Sequence, residues 1–224
     1  MKDFVLRENV RHSTYYYLAR LFDLPDAFLE EEQIPVKLHQ VLEAVNTEAA
    51  EHAAKLAPAL AEEGLEKIRP DHMKLFFGPS QLLAPPYGSV YLEPEKREIM
   101  GASTQDAQRL YAEAGLQKDE ALKDAPDHIR VELDFMHVLI ARTVEACEAG
   151  KWQDAEKYVN IQLMFLQNHL SRWVTPFAKV IRTGAATRFY NATALVLESF
   201  IKQEFLEDGE AMLQEFKTLR AEST

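Results

Sequence analysis

Six consecutive residues, Asp127-His128-Ile129-Arg130-Val131-Glu132, gather the side chains of this sequence best suited to acid–base or ligand chemistry. On a helix His128 and Glu132 stand at i and i+4 and share a face, with Asp127 at the helix start beside them. A metal site could use the imidazole and the carboxylates, but no second His or Cys lies at a usual ligand spacing. His137 is nine residues on, which at about 100° per residue turns it to the opposite face. A catalytic dyad would have Asp127 orient His128 as general base; it needs a nucleophile, for which Ser89 is the loop candidate. As structure, Asp127 is a natural N-cap, its carboxylate accepting backbone N–H bonds while His128 packs on the first turn. In a fourth reading Asp127 and His128 form the polar rim of an apolar groove suited to a peptide with both a cation and a greasy segment.

The groove would come from residues 76–91, which read Phe-Phe-Gly-Pro-Ser-Gln-Leu-Leu-Ala-Pro-Pro-Tyr-Gly-Ser-Val-Tyr. Three prolines and two glycines forbid a continuous helix here, and Pro85-Pro86 holds the backbone extended. Leu82, Leu83, Tyr87 and Tyr91 are not linker residues. The irregular stretch from Gly78 to Gly101 is long for a compact domain, which marks it as functional, and its aromatic content argues against disorder.

Helical elements must carry these parts. A mixed three and four spacing of apolar residues predicts a helix from Asn9 to Phe22, closed by Asp23-Leu24-Pro25. Residues Pro35 to Glu63 predict two helices, with Asn46-Thr47 and Pro58 as breaks. Arg69-Pro70-Asp71 restarts a short helix that delivers Phe76-Phe77 into the loop. After the loop, Ser103-Thr104-Gln105-Asp106 opens a helix that stops at Gly115, and Lys118 to Ala125 is a polar connector. Pro126-Asp127-His128 begins a long helix to Ala149-Gly150. Further helices run from Gln153 to Trp173, from Thr175-Pro176 to Arg182, and from Thr187 to Leu206, before Asp208-Gly209. Strand patterning and hairpin turns are absent, so the expectation is an all-α, single-domain bundle of roughly ten helices over residues 1–224 with one long Pro-rich loop. Trp152, Trp173, Phe165, Phe177, Phe189 and Phe200 fall at helical spacings and are assigned to the core.

Composition excludes several classes of function. With 47% hydrophobic residues the 224-residue chain can bury a sizeable core. A net charge of −11 disfavours nucleic acid and anionic membrane and favours a cationic partner. No Walker or dinucleotide glycine pattern occurs. The single Cys147 rules out an intrachain disulfide, no apolar run approaches the roughly 20 residues of a membrane span, and the N-terminus lacks a signal-peptide core. A cytoplasmic protein is expected.

Leu75-Phe76-Phe77-Gly78-Pro79, Ala84-Pro85-Pro86-Tyr87-Gly88-Ser89-Val90-Tyr91 and Pro126-Asp127-His128-Ile129, with Glu132-Leu133 and Phe135-Met136, resemble motifs of the TorD/DmsD family of redox-enzyme maturation chaperones. Tyr17 to Phe22, the Gly101-Ala102-Ser103-Thr104 turn and His169 to Phe177 agree in order, so the resemblance spans most of the chain. It implies an all-helical cytoplasmic chaperone, not an enzyme and without a cofactor or metal of its own. Such a chaperone binds the twin-arginine leader of a molybdenum-cofactor oxidoreductase precursor and prevents its export before cofactor insertion. Carried over by position, the leader-binding residues are Leu75, Phe76, Pro86, Tyr87, Ser89, Gly101, Asp127 and His128. Tyr87 and the prolines would hold the apolar stretch, and Asp127 would face the arginines. The same resemblance implies a monomer or homodimer, with cofactor-biosynthesis proteins as a further class of partner. Relatives often have Trp where Tyr87 stands, and a Glu-Pro pair where this chain reads Asp124-Ala125-Pro126. His72 and Ser80 also stand where some relatives carry Trp, which would retune the leader accepted. The alternative from another class is a small all-α hydrolase or lyase using Asp127 and His128 as an acid–base pair.

Overall fold

The computed structural model describes residues 2–45, 47–78, 82–95, 100–117 and 124–223. Ser80 and the connector residues 118–123 therefore lie outside it. The described residues form helices α1 (Lys2–Arg20), α2 (Phe28–Glu31), α3 (Ile34–Leu42), α4 (Thr47–Ala53), α5 (Leu56–Phe76) and α6 (Gly88–Leu92). These are followed by α7 (Ala102–Glu113), α8 (Ile129–Glu148), α9 (Trp152–Phe165), α10 (Ser171–Gly184), α11 (Arg188–Gln203) and α12 (Gly209–Ser223). Single π-helical turns, Leu166–Leu170 and Glu204–Asp208, join α9 to α10 and α11 to α12 without a break. The fold is all-α, as expected; among the described residues the single β-type contact is an isolated bridge between Tyr87 and His128.

α1 starts seven residues before Asn9 because its buried stripe is not wholly apolar. Phe4, Glu8, Arg11, Tyr15 and Leu18 face inward at helical spacing, and two of them are charged. Arg11 satisfies the buried charges: Nη1 donates to both oxygens of Glu8 at 2.8 Å, and Nη2 to Glu204 at 2.7 Å. The break expected at Arg69-Pro70 falls earlier. Gly64, at φ 64°, adopts a left-handed conformation that costs glycine little, kinks α5 there, and leaves Pro70 inside the renewed helix. Pro58 falls in the first turn of α5, where its missing N–H has no helical partner to lose.

The predicted start at Thr175-Pro176 is likewise absent. α10 runs through Pro176 because Trp173, Val174, Phe177, Ala178 and Ile181 make one buried face on both sides of it, and tertiary packing outweighs one lost hydrogen bond. The chain also continues past Asp208-Gly209 into α12. There Met212, Phe216 and Leu219 join Phe4, Cys147, Ala155 and Val159 in a small second core. The main core takes Trp173, Phe165, Phe177, Phe189 and Phe200, as anticipated, while Trp152 packs against the smaller one.

Candidate functional site

The loop is tied down in steps. Leu83 N–H donates to Lys74 O at 3.2 Å and Ala84 N–H to Leu75 O at 2.9 Å, so the returning chain lies along the end of α5. Pro85 and Pro86 have no N–H, but Pro86 O accepts from Ile129 N–H at 2.8 Å and Gly88 N–H donates to Asp127 O at 2.8 Å. These two bonds form the bridge between the loop and the start of α8. Tyr87 then sits edge-on to His128, ring centroids 5.3 Å apart.

The caps at this junction are exchanged relative to the sequence expectation. Asp127 does not cap its own helix: its Oδ2 accepts from Ser89 N–H at 2.9 Å, in the first turn of α6. His128 is the N-cap of α8, its Nδ1 accepting from Arg130 N–H at 3.2 Å. The carboxylate and the imidazole are thus each engaged with a backbone amide rather than with one another, which is not the geometry of an acid–base dyad. Burial holds His128 down to about 4, far from a base poised near neutrality.

The eight expected residues occupy one region, but mostly as its interior. Leu75, Phe76, Pro86, Ser89, Asp127 and His128 are buried, Asp127 to 1% exposure, whereas Tyr87 and Gly101 are half-buried. Phe76 packs against Phe22, His72, Phe177 and Tyr190, while Tyr91 stacks on Trp173. Gly101 is connected through Glu93, whose Oε1 accepts from the Ser103 N–H and hydroxyl at 2.7 Å. A Cβ on Gly101 would come within 2.5 Å of that carboxylate. The accessible apolar surface beside the loop is made instead by Met73, Phe77 (65% exposed) and Leu83. Burial, with the negative charges of Asp124 and Asp127 adding to it, raises the Tyr87 hydroxyl above its usual value, and of these two carboxylates Asp124 is the accessible one.

Beneath the bridge lies a second acid. Glu132 is fully buried; Trp173 Nε1 donates to its Oε2 at 2.9 Å, and burial drives its carboxyl well above the usual carboxylate range. Its Oε1 lies 4.0 Å from His169 Nδ1, while His169 Nε2 meets Asp106 at 3.2 Å. Gly88 lies tightly above this pair: a Cβ there would stand 3.2 Å from Trp173 Nε1 and 3.3 Å from Glu132 Oε1. His137 points elsewhere, stacked on His12 at 3.9 Å. Among the described residues no group of three His, Cys, Asp or Glu side chains is arranged to hold a metal. No helix among them is long and apolar enough to cross a membrane. Sequence reasoning missed Glu93, the Glu132–Trp173 pair and Asp124; the pair joins residues 41 positions apart, and Glu93 meets Ser103 across an irregular stretch, which spacing does not reveal.

Comparison with known proteins follows the same outline. A family model described as nitrate reductase delta subunit matches residues 42–179. A protein named chaperone protein TorD from Vibrio parahaemolyticus is 32% identical over 136 residues, 61% of each chain. Its namesake from Photobacterium profundum is 29% identical over 139 residues, 62% of each. The chain thus spans about three fifths of the length of these curated relatives. A crystal structure titled as a putative redox enzyme maturation protein from Archaeoglobus fulgidus shares the fold. It has a TM-score of 0.50 and 21% identity, covering 86% of this chain and 93% of that one.

Proposed function

We propose, on the premise that this chain belongs to the nitrate reductase delta subunit family of TorD-type proteins, that it is a cytoplasmic maturation chaperone for a molybdenum-cofactor oxidoreductase. It binds the twin-arginine leader of the precursor, withholds it from export while cofactor is inserted, and then releases it. The observation that carries this reading is the two-bond bridge from Pro86 and Gly88 to Ile129 and Asp127, which fixes Tyr87 over His128 as a preformed platform. Met73, Phe77 and Leu83 offer apolar contact for the leader's greasy stretch, Asp124 supplies accessible negative charge, and the net charge of −11 attracts a cationic tag. In this reading Asp127, Ser89, Leu75 and Phe76 act by holding the platform in shape, and Tyr87 touches the ligand.

A synthetic peptide with two adjacent arginines followed by an apolar stretch tests it by calorimetric titration. Tyr87→Ala is expected to weaken binding about tenfold or more, as for an aromatic anchor, with the melting temperature little changed. An unaltered affinity removes Tyr87 from the site. A wild-type chain that ignores the peptide but captures the mature enzyme without its leader overturns the function proposed.

A further inference from the structure

A pocket of about 310 Å³ opens between the end of α1, α2 and the start of α8, its lining including Arg20, Asp23, Leu24, Asp26, Phe28 and Arg130. It continues the surface already described, since Arg130 is two residues beyond His128 and its partner Asp124 is close enough to act electrostatically on the Tyr87 hydroxyl. Leu24 and Phe28 are exposed apolar side chains on a predominantly charged rim.

The two arginines are held differently. Arg20 Nη2 grips both oxygens of Asp134, at 2.6 and 2.7 Å. Arg130 is shared: its Nε pairs with Asp23 and lies 3.9 Å from Asp134, while its Nη1 is 3.6 Å from Asp124. It forms no two-pronged pairing with any of them, the arrangement that makes an arginine hard to displace. Asp23, Asp26, Asp124 and Asp134 outnumber the two arginines, so the pocket keeps a negative surplus. Burial raises the Asp23 carboxyl despite Arg20 and Arg130 beside it, which indicates that these cations do not fully compensate it.

We infer that Arg130 is a built-in stand-in for the ligand: an arginine of an incoming basic peptide exchanges with it on Asp23 and Asp124, while Leu24 and Phe28 cover the neighbouring apolar residue. The inference rests on the leader-binding reading and adds to it a competing self-contact that sets affinity and selects for a guanidinium. The Arg130 and Asp23 side chains are largely buried, 18% and 33% exposed, so the exchange proceeds because the incoming guanidinium takes over the pairing as Arg130 turns to solvent and no carboxylate is left without a cation.

The experiment titrates the same two-arginine peptide into the wild-type chain, Arg130→Gln, Asp124→Asn and, as a control of net charge, Lys157→Gln on the exposed face of α9. Arg130→Gln is expected to bind about two- to fivefold tighter, Asp124→Asn to bind more weakly by a similar factor, and Lys157→Gln to match the wild type. Equal or weaker binding by Arg130→Gln while the wild type binds overturns the exchange and leaves the leader-binding reading standing. Equal tightening by Lys157→Gln also overturns it, since overall charge would then suffice. If neither the wild type nor Arg130→Gln binds, the leader-binding reading falls and the exchange with it. Should Arg130→Gln fail to fold, Arg130→Lys serves, because a single ammonium keeps the charge but cannot reach Asp23 and Asp124 through separate nitrogens as Arg130 does; tighter binding supports the exchange and unchanged binding refutes it.

Discussion

Glu132 is a carboxyl group whose ionisation burial opposes, and pH should expose that. Its folded pKa lies above the unfolded value of 4.5, so the stability it contributes is complete below about pH 4.5 and is lost as pH rises through the folded value. Glu132→Gln keeps an acceptor for Trp173 and cannot ionise. Its melting temperature relative to the wild type should therefore improve as pH rises above 4.5, and a constant difference would contradict the assignment. His72 and His128 act in the opposite sense. Burial leads in lowering both to about 4, so their stability is present above about pH 6.5 and is lost as pH falls through 4. Each contributes up to about 1.4 kcal/mol per pH unit across that window, and urea titrations of His72→Gln should show a shallower acid limb than the wild type. Gly88→Ala presses on Trp173 and Glu132 and should cost about 1–3 kcal/mol, as overpacking does.

Among the elements, α11 depends most on a distant partner. Asp71 accepts from the Ala186 and Thr187 N–H groups and from the Thr187 hydroxyl, and Glu63 accepts from the Arg188 and Phe189 N–H groups, so two carboxylates of α5 cap α11. Asp71→Ala should lower the unfolding free energy by about 2–4 kcal/mol in urea, with Asp71→Asn losing less. Sequence alone could not have paired these residues, which stand 115 and 116 positions apart. The same limit explains the exchanged caps: Asp127 looks like the cap of the helix that follows it, yet serves an amide 38 positions earlier. What spacing did disclose was local. The Pro-Gly content of the loop and the Asp-His start of α8 marked two irregular places in an otherwise helical chain, and the structure bridges them. What it hid was a first helix whose inward stripe includes Glu8 and Arg11, a kink assigned to Pro70 that belongs to Gly64, and π turns that carry α9 and α11 onward.

At the scale of the whole molecule, α1 is the strut to which late parts of the chain attach. Arg11 pairs with both Glu8 and Glu204, donates to Gln162 at 3.0 Å and is surrounded by Tyr15 and Met212. Arg11→Met leaves two acids buried without a cation and should destabilise by about 3–5 kcal/mol in chemical denaturation. Replacing Arg11, Glu8 and Glu204 together by apolar residues of similar volume should cost far less. Phe4 likewise rests on Phe216, ring centroids 6.1 Å apart. During synthesis at about 5–20 residues per second, the ribosome delivers Phe216 on the order of ten to forty seconds after Phe4. Throughout that interval the nascent chain carries a greasy, charged and unfinished first helix, so a protein whose proposed task is to shelter an immature client passes through a stage in which it needs sheltering itself.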